Sequence, residues 1–291
     1  MIRHKKILIL SDIEGSSNCR NYAATTLFGH TWPQACLGMT RDVSKVVESL
    51  LDNGVEQVIV KDFHRTGYNI FPSLINHRAR LVSGYRIRPV PGIGSTFGTT
   101  GLMMIGMHAP SGSKGFLAHT LTSRISALRV NGRLLSEAEL FSAVLAPRSL
   151  VPLFFSGCPE ACSHTSRTIK GITVFPIDKE KVTCNESMED WRKDLAGQAI
   201  EALTAGRKVP YVLKGPFHAA ITFKNGRDTA RRISKRWGHK RCADTLFFST
   251  DRIEKLYIEL IKIAYLRPTT LKLLPGALFF YNLAGRLSLS W

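Results

Sequence analysis

The first half of the chain alternates short apolar runs with helical periodicity. Residues 7–10 form an unbroken apolar run of strand length, after the basic lead-in Met1-Ile2-Arg3-His4-Lys5-Lys6. Residues 41–53 place Val43, Val47 and Leu50 at helical spacing, and Gly54 stands where a C-terminal cap belongs. Residues 58–60, 79–82 and 102–107 are three further apolar strands, with Arg80 the one interruption. Runs that are continuous rather than alternating suit strands covered on both faces. Strands separated by helices predict an α/β fold with a mainly parallel central sheet flanked by helices.

After the apolar run 151–155 the pattern changes to a smaller α+β second half. Residues 188–203 predict a helix with Met188, Trp191, Leu195, Ala199 and Ala202 along one side. Residues 209–212 and 219–223 read as an antiparallel pair joined through Gly215 and Pro216. Residues 251–266 predict a second helix, capped by Asp251, with the stripe Ile253, Leu256, Tyr257, Leu260, Ile261 and Ala264. The last segment, 267–291, is an apolar and basic C-terminal extension, from Leu271 and Leu274 through Phe279, Phe280 and Tyr281 to Trp291, broken by Pro275 and Gly276. It reads as an arm packed on a neighbouring subunit or on its own core, with a membrane-surface anchor as the alternative. The expected division is a metal-binding α/β region 1–150, an α+β substrate or oligomerisation region 151–266, and the extension.

Composition narrows the class. The chain has 291 residues, 44% hydrophobic and 21% charged, ordinary for a globular protein with a large core. No stretch reaches the ~20 apolar residues of a membrane-spanning helix. The first apolar run is too short for a signal peptide, because Asp12 and Glu14 interrupt it. Six sparse cysteines do not form a disulfide framework, which favours a reducing, cytoplasmic compartment. Cys158 and Cys162 with His164 offer half of a metal site but lack a fourth ligand at the right spacing. The net charge of +18 attracts anionic partners; its densest segment, 227–241, reads as a solvated helix face rather than a nucleic-acid site, since aromatic stacking partners are few.

Candidate chemistry gathers at strand ends. Asp12 and Glu14 follow the first strand and, spaced by two, point to one side of an extended chain. Two adjacent carboxylates repel unless a cation lies between them. His64 follows the second strand in Lys61-Asp62-Phe63-His64, and His108 follows a later one in Gly106-Met107-His108-Ala109. Carboxyl ends of parallel strands line the ligand crevice, so all four residues are expected at one edge. Carboxylate oxygen with imidazole is a normal zinc ligand set.

With these motifs and with His119-Thr120 and Asn131-Gly132-Arg133 leading to Glu137, the chain resembles the DppA-type zinc D-aminopeptidases, which remove N-terminal D-amino acids from short peptides. The likeness covers residues 7–150 well and continues weakly to about 265. It implies a dinuclear zinc site, two Zn2+ per subunit. Asp12 would bridge the ions, Glu14 and His64 would complete one, and His108 and Glu137 the other. It further implies His119 as a catalytic residue beside the metals, and a ring-type homo-oligomer, such as a decamer, enclosing the sites. Asp62 is a candidate partner for an imidazole N–H, or equally a turn-forming residue. The expected function is release of N-terminal amino acids from a small peptide substrate. The alternative is a dinuclear metal phosphoesterase acting on nucleotides or nucleic acid, which the ligand types and positive charge also fit. The basic second half and Gly157-Cys158-Pro159-Glu160 depart from the family pattern and leave the substrate open.

Overall fold

The computed structural model describes residues 2–289; Met1 of the lead-in and Trp291 of the extension lie outside them. Strands β1 (Lys6–Ser11), β2 (Gln57–Asp62), β3 (Arg80–Val82), β4 (Gly101–Met107), β7 (Val151–Gly157) and β8 (Thr173–Pro176) form a six-stranded sheet in the order β3-β2-β1-β4-β7-β8. Every pairing in it is parallel. Successive residues of β1 explain the unbroken apolarity. Ile7 and Ile9 enter one core with helices α1 (Trp32–Asp52) and α4 (Asn185–Thr204). Leu8 and Leu10 enter another with α2 (Glu137–Leu145), α6 (Ile253–Tyr265) and a second sheet. A strand buried on both faces has no polar side to show.

The second sheet is antiparallel, in the order β10-β11-β9-β5-β6. It comprises β5 (Ile125–Val130), β6 (Arg133–Leu134), β9 (Phe217–Phe223), β10 (Lys240–Cys242) and β11 (Thr245–Thr250). Here Phe217, Ala219, Ile221 and Phe223 alternate inward, so only one face is covered. Both sheets draw strands from either side of residue 150. Helices α3 (Pro159–Thr168), α5 (Gly226–Trp237), α7 (Pro268–Lys272) and α8 (Leu274–Ser288) complete the chain. No helix among the described residues is long and apolar enough to cross a membrane.

Two expectations need correction. Residues 209–212 are not a strand, and β9 pairs with β11 and β5 instead. Val209 and Val212 face solvent, Pro210 has no N–H to donate, and the segment is pinned by Lys208, whose ammonium donates to Leu153 O, Thr173 Oγ1 and Ala202 O. Asp251 does not cap α6. Arg252 occupies the cap without a side-chain bond, and the Asp251 carboxylate pairs with Lys255 at 2.8 Å. Gly54 does follow α1 with a φ of 88°, the left-handed position a glycine favours.

One buried ion pair ties the helical layer to the sheet edge. Arg192 of α4 donates from Nε to Asp42 Oδ1 of α1 at 2.7 Å. The same carboxylate accepts from Ser17 N at 2.7 Å and Ser17 Oγ at 2.8 Å, in the loop that carries Glu14.

Candidate metal centre

Parallel register aligns the strand tips. Ser11 lies opposite both Asp62 and Ile105, so the residues just beyond β1, β2 and β4 emerge together. At the crossing, Gly15 N donates to Gly106 O at 2.7 Å. A Cβ on Gly106 would stand 2.1 Å from Asp12 O, and Gly106 has a φ of 75°. Only glycine meets both demands. Glu137 arrives on the first turn of α2, whose start is fixed by a capping box between Ser136 and Glu139.

The five expected ligands and His119 converge. His64 Nδ1 lies 2.9 Å from Asp12 Oδ1 and 3.1 Å from Glu14 Oε2. His108 Nε2 lies 3.4 Å from Asp12 Oδ2 and 3.6 Å from Glu137 Oε1. Asp12 thus turns one oxygen to each histidine. His119 stacks on His108 with ring centroids 3.7 Å apart, and its Nε2 is 4.0 Å from Glu14 Oε1. Two groups have ligand atoms within 4.8 Å of one another: Asp12, Glu14 and His64, and His108, His119 and Glu137. His119 therefore stands where it could ligate, and not only beside the ligands.

Each imidazole is oriented by a backbone carbonyl. His64 Nε2 donates to Thr25 O at 2.9 Å, His108 Nδ1 to Ala109 O at 3.1 Å, and His119 Nδ1 to Leu117 O at 2.9 Å. In a neutral ring the opposite nitrogen then carries a lone pair, and all three lone pairs point into the carboxylates. Acceptors facing acceptors in a buried space are relieved by a proton on the ring or by a bound cation. Glu14 Oε2 and His108 Nε2 are buried without a hydrogen-bond partner. This donor set fits a pair of divalent ions of the zinc type.

The electrostatics show the same deficit of positive charge. Burial and then Glu14 push Asp12 up to about 7. Burial opposes charge on His64, but Glu14 and Asp12 override it and hold the ring well above its ordinary value. Burial likewise opposes charge on His108, yet Glu137, Asp12 and Glu14 raise it to about 10. Glu14, despite burial, is held well below the usual carboxylate range by His64, and Glu137 is lowered by His108. His119 goes the other way, lowered by burial and then by His108.

Asp62 takes the turn-forming role. It accepts from Asn69 N, Asn69 Nδ2 and Ile70 N and touches no imidazole, while Asn69 Nδ2 donates to His64 O at 2.7 Å. Cys158 and Cys162 are buried in the apolar core, and His164 bonds Glu139 instead. The site opens into a cavity of about 1470 Å3 whose far wall comes from α6 and the C-terminal extension. Periodicity gave no sign of that wall, because its residues belong to segments remote from the strand tips.

A family model described as D-aminopeptidase matches residues 5–259. The chain belongs to the D-aminopeptidase family. A D-aminopeptidase from Bacillus subtilis (strain 168) is 23% identical over 175 residues, 59% of this chain and 63% of that protein, so the alignment spans less than two thirds of the relative. The solved structure of the Zn-dependent D-aminopeptidase DppA from Bacillus subtilis, described as a self-compartmentalizing protease, superposes with a TM-score of 0.78 at 18% identity, covering 89% of this chain and 97% of that one. The α/β architecture is therefore the fold of that solved D-aminopeptidase, and family membership does not favour the phosphoesterase alternative.

Proposed function

We propose that the chain is a metal-dependent aminopeptidase that releases N-terminal D-amino acids from short peptides through two zinc ions per subunit. The observation that carries this reading is the meeting of three buried carboxylates with three imidazole nitrogens turned toward them by backbone carbonyls, Glu14 Oε2 and His108 Nε2 being without a hydrogen-bond partner. Asp12, Glu14 and His64 would hold one ion, and His108 and Glu137 the other, with Asp12 shared.

Zinc bound there supplies an acidified water and an electrophile for the peptide carbonyl. The water oxygen bonds to the carbonyl carbon, the C–N bond breaks, and the departing nitrogen takes a proton. His119 is placed to move that proton. Its Nδ1 is occupied by Leu117 O, so Nε2 is the free acceptor, and its lowered proton affinity favours the neutral ring. Thr25, Ala109 and Leu117 keep the three rings turned inward through their carbonyls.

The self-compartmentalizing description of the solved structure and the exposed apolar extension support a homo-oligomer; that it would be a ring of the decamer kind rests on the family resemblance alone. Six unpaired cysteines suit a reducing, cytoplasmic setting. The test is metal content and turnover together. The purified protein is expected to carry close to two zinc ions per subunit and to hydrolyse D-alanyl-p-nitroanilide, and Asp12→Ala is expected to lose both. No divalent ion and no turnover across a panel of D- and L-aminoacyl amides would overturn it.

A further inference from the structure

The cavity changes character with distance from the strand tips. Its acidic lining residues, Asp12, Glu14 and Glu137, all belong to the metal end. The opposite wall is mainly apolar, built by Ile258, Ile261 and Tyr265 of α6 with Leu274, Leu278 and Tyr281 of α8, and Lys262 and Lys224 are the cations that line the cavity with it, beside Arg65 and Arg88 elsewhere in the lining. Five of the six α6 and α8 residues that build the wall lie beyond residue 259, where the family match stops.

The extension is fastened into place by specific contacts. Asn282 Oδ1 accepts from Tyr85 N at 2.8 Å, and its Nδ2 donates to Tyr85 O at 3.3 Å. Gly285 packs so closely on the segment after β2 that a Cβ would meet Tyr68 Cδ2 at 2.6 Å. On α6, the Tyr265 hydroxyl donates to Leu121 O, next to the Leu121 N–H that holds Glu137 Oε1. The apolar wall and the candidate metal end therefore line one open cavity.

Its volume of about 1470 Å3 exceeds the roughly 300–1,000 Å3 that encloses a drug-sized molecule. A short peptide of small residues leaves most of the apolar half to water, which that surface disfavours. We infer that helices α6 and α8 form an apolar subsite that binds a long hydrocarbon or aromatic chain carried by the substrate beside the scissile amide. The inference rests on the aminopeptidase reading and names the class of substrate for it. Each methylene buried there raises affinity by up to about fourfold, so preference climbs steeply with chain length.

Two substrate series test this with the zinc-loaded full chain: D-alanyl n-alkylamides from ethyl to dodecyl, and p-nitroanilides of D-amino acids with lengthening alkyl side chains. In at least one series kcat/KM is expected to rise 10-fold or more, as an order of magnitude, from the shortest to the longest member. Leu278→Asp, on the cavity side of α8, is expected to flatten that rise while turnover of D-alanyl ethylamide stays within about twofold. Leu283→Asp, on the exposed side of the same helix, is expected to keep the rise; if it flattens it equally, α8 acts through contact with another copy and the inference is overturned. A flat profile in both series, with the short amide still cleaved, overturns the subsite and leaves the hydrolase standing. Titration of the ethyl and dodecyl amides of D-alanine into metal-free protein separates the remaining outcomes. Tighter binding of the dodecyl amide without hydrolysis of either supports the subsite and sinks the hydrolase. Equal or absent binding overturns the subsite.

Discussion

At one end of the cavity, six polar side chains from five separate segments meet with almost no surface exposed to water. At the other, α6 and α8 offer half-buried aliphatic and aromatic groups, while Phe279 and Phe280 on the outer side of α8 remain in solvent. The metal end is held by aligned strand tips, a capped helix and three carbonyl-oriented rings. At the apolar end α6 is packed into the core through Leu256, Tyr257 and Leu260, while α8 is tied down by Asn282 and the close-packed Gly285. On the proposed reading, the chemistry would rest on the closely fixed strand tips, and selection of the substrate on the helices across the cavity.

The difference can be broken at either end. Stripping divalent ions with a chelator is expected to abolish hydrolysis of every amide and to lower the melting temperature, with zinc restoring both. Undiminished turnover by the stripped protein would erase the distinction altogether. Next in size, His119→Ala is expected to lower kcat by about 10²–10⁴-fold. Metal analysis of that variant sharpens the role. Unchanged content keeps His119 as the proton carrier, whereas a loss of one ion per subunit makes it a ligand of the His108 and Glu137 group.

A mutation remote from both ends comes third. Arg192→Met leaves Asp42 buried and unpaired behind the loop that carries Glu14, at a cost of about 3–5 kcal/mol. Denaturant unfolding reads that loss, and a change below about 1 kcal/mol would show that the buried pair contributes little. The smallest effect is expected from Asn282→Ala, which removes two hydrogen bonds worth about 1–3 kcal/mol together. It is expected to weaken the chain-length preference and to spare the ethyl amide. A matching fall for the ethyl amide would mean that the extension also shapes the metal end.

Four of the candidate ligands could be placed from sequence because each stands within a few residues of an apolar run that fixes its strand. Asp12 and Glu14, His64 and His108 needed only the parallel register to meet. Glu137 and His119 carried no such signal and came from the family resemblance. The position of Asp62 was readable, but its role was not, since that depended on Asn69 folding back onto it. The second sheet was harder for a physical reason. Strand β5 contains Arg129 and pairs with β9, far along the chain, so nothing local marks it as a strand. Residues 209–212 had strand-like composition and no partner edge to join. The apolar extension was visible as composition alone; that its inner side completes the cavity wall depends on Asn282 finding the Tyr85 backbone.

The crossing of Gly15 and Gly106 has a consequence for how this site can be altered. Main chain lies against main chain there, with no room for a single extra carbon. The spacing between the two ligand groups is consequently a property of the peptide scaffold rather than of the side chains mounted on it. Exchanging one candidate ligand for another would alter which cation is accepted and how firmly, while the gauge between the two positions would stay the same.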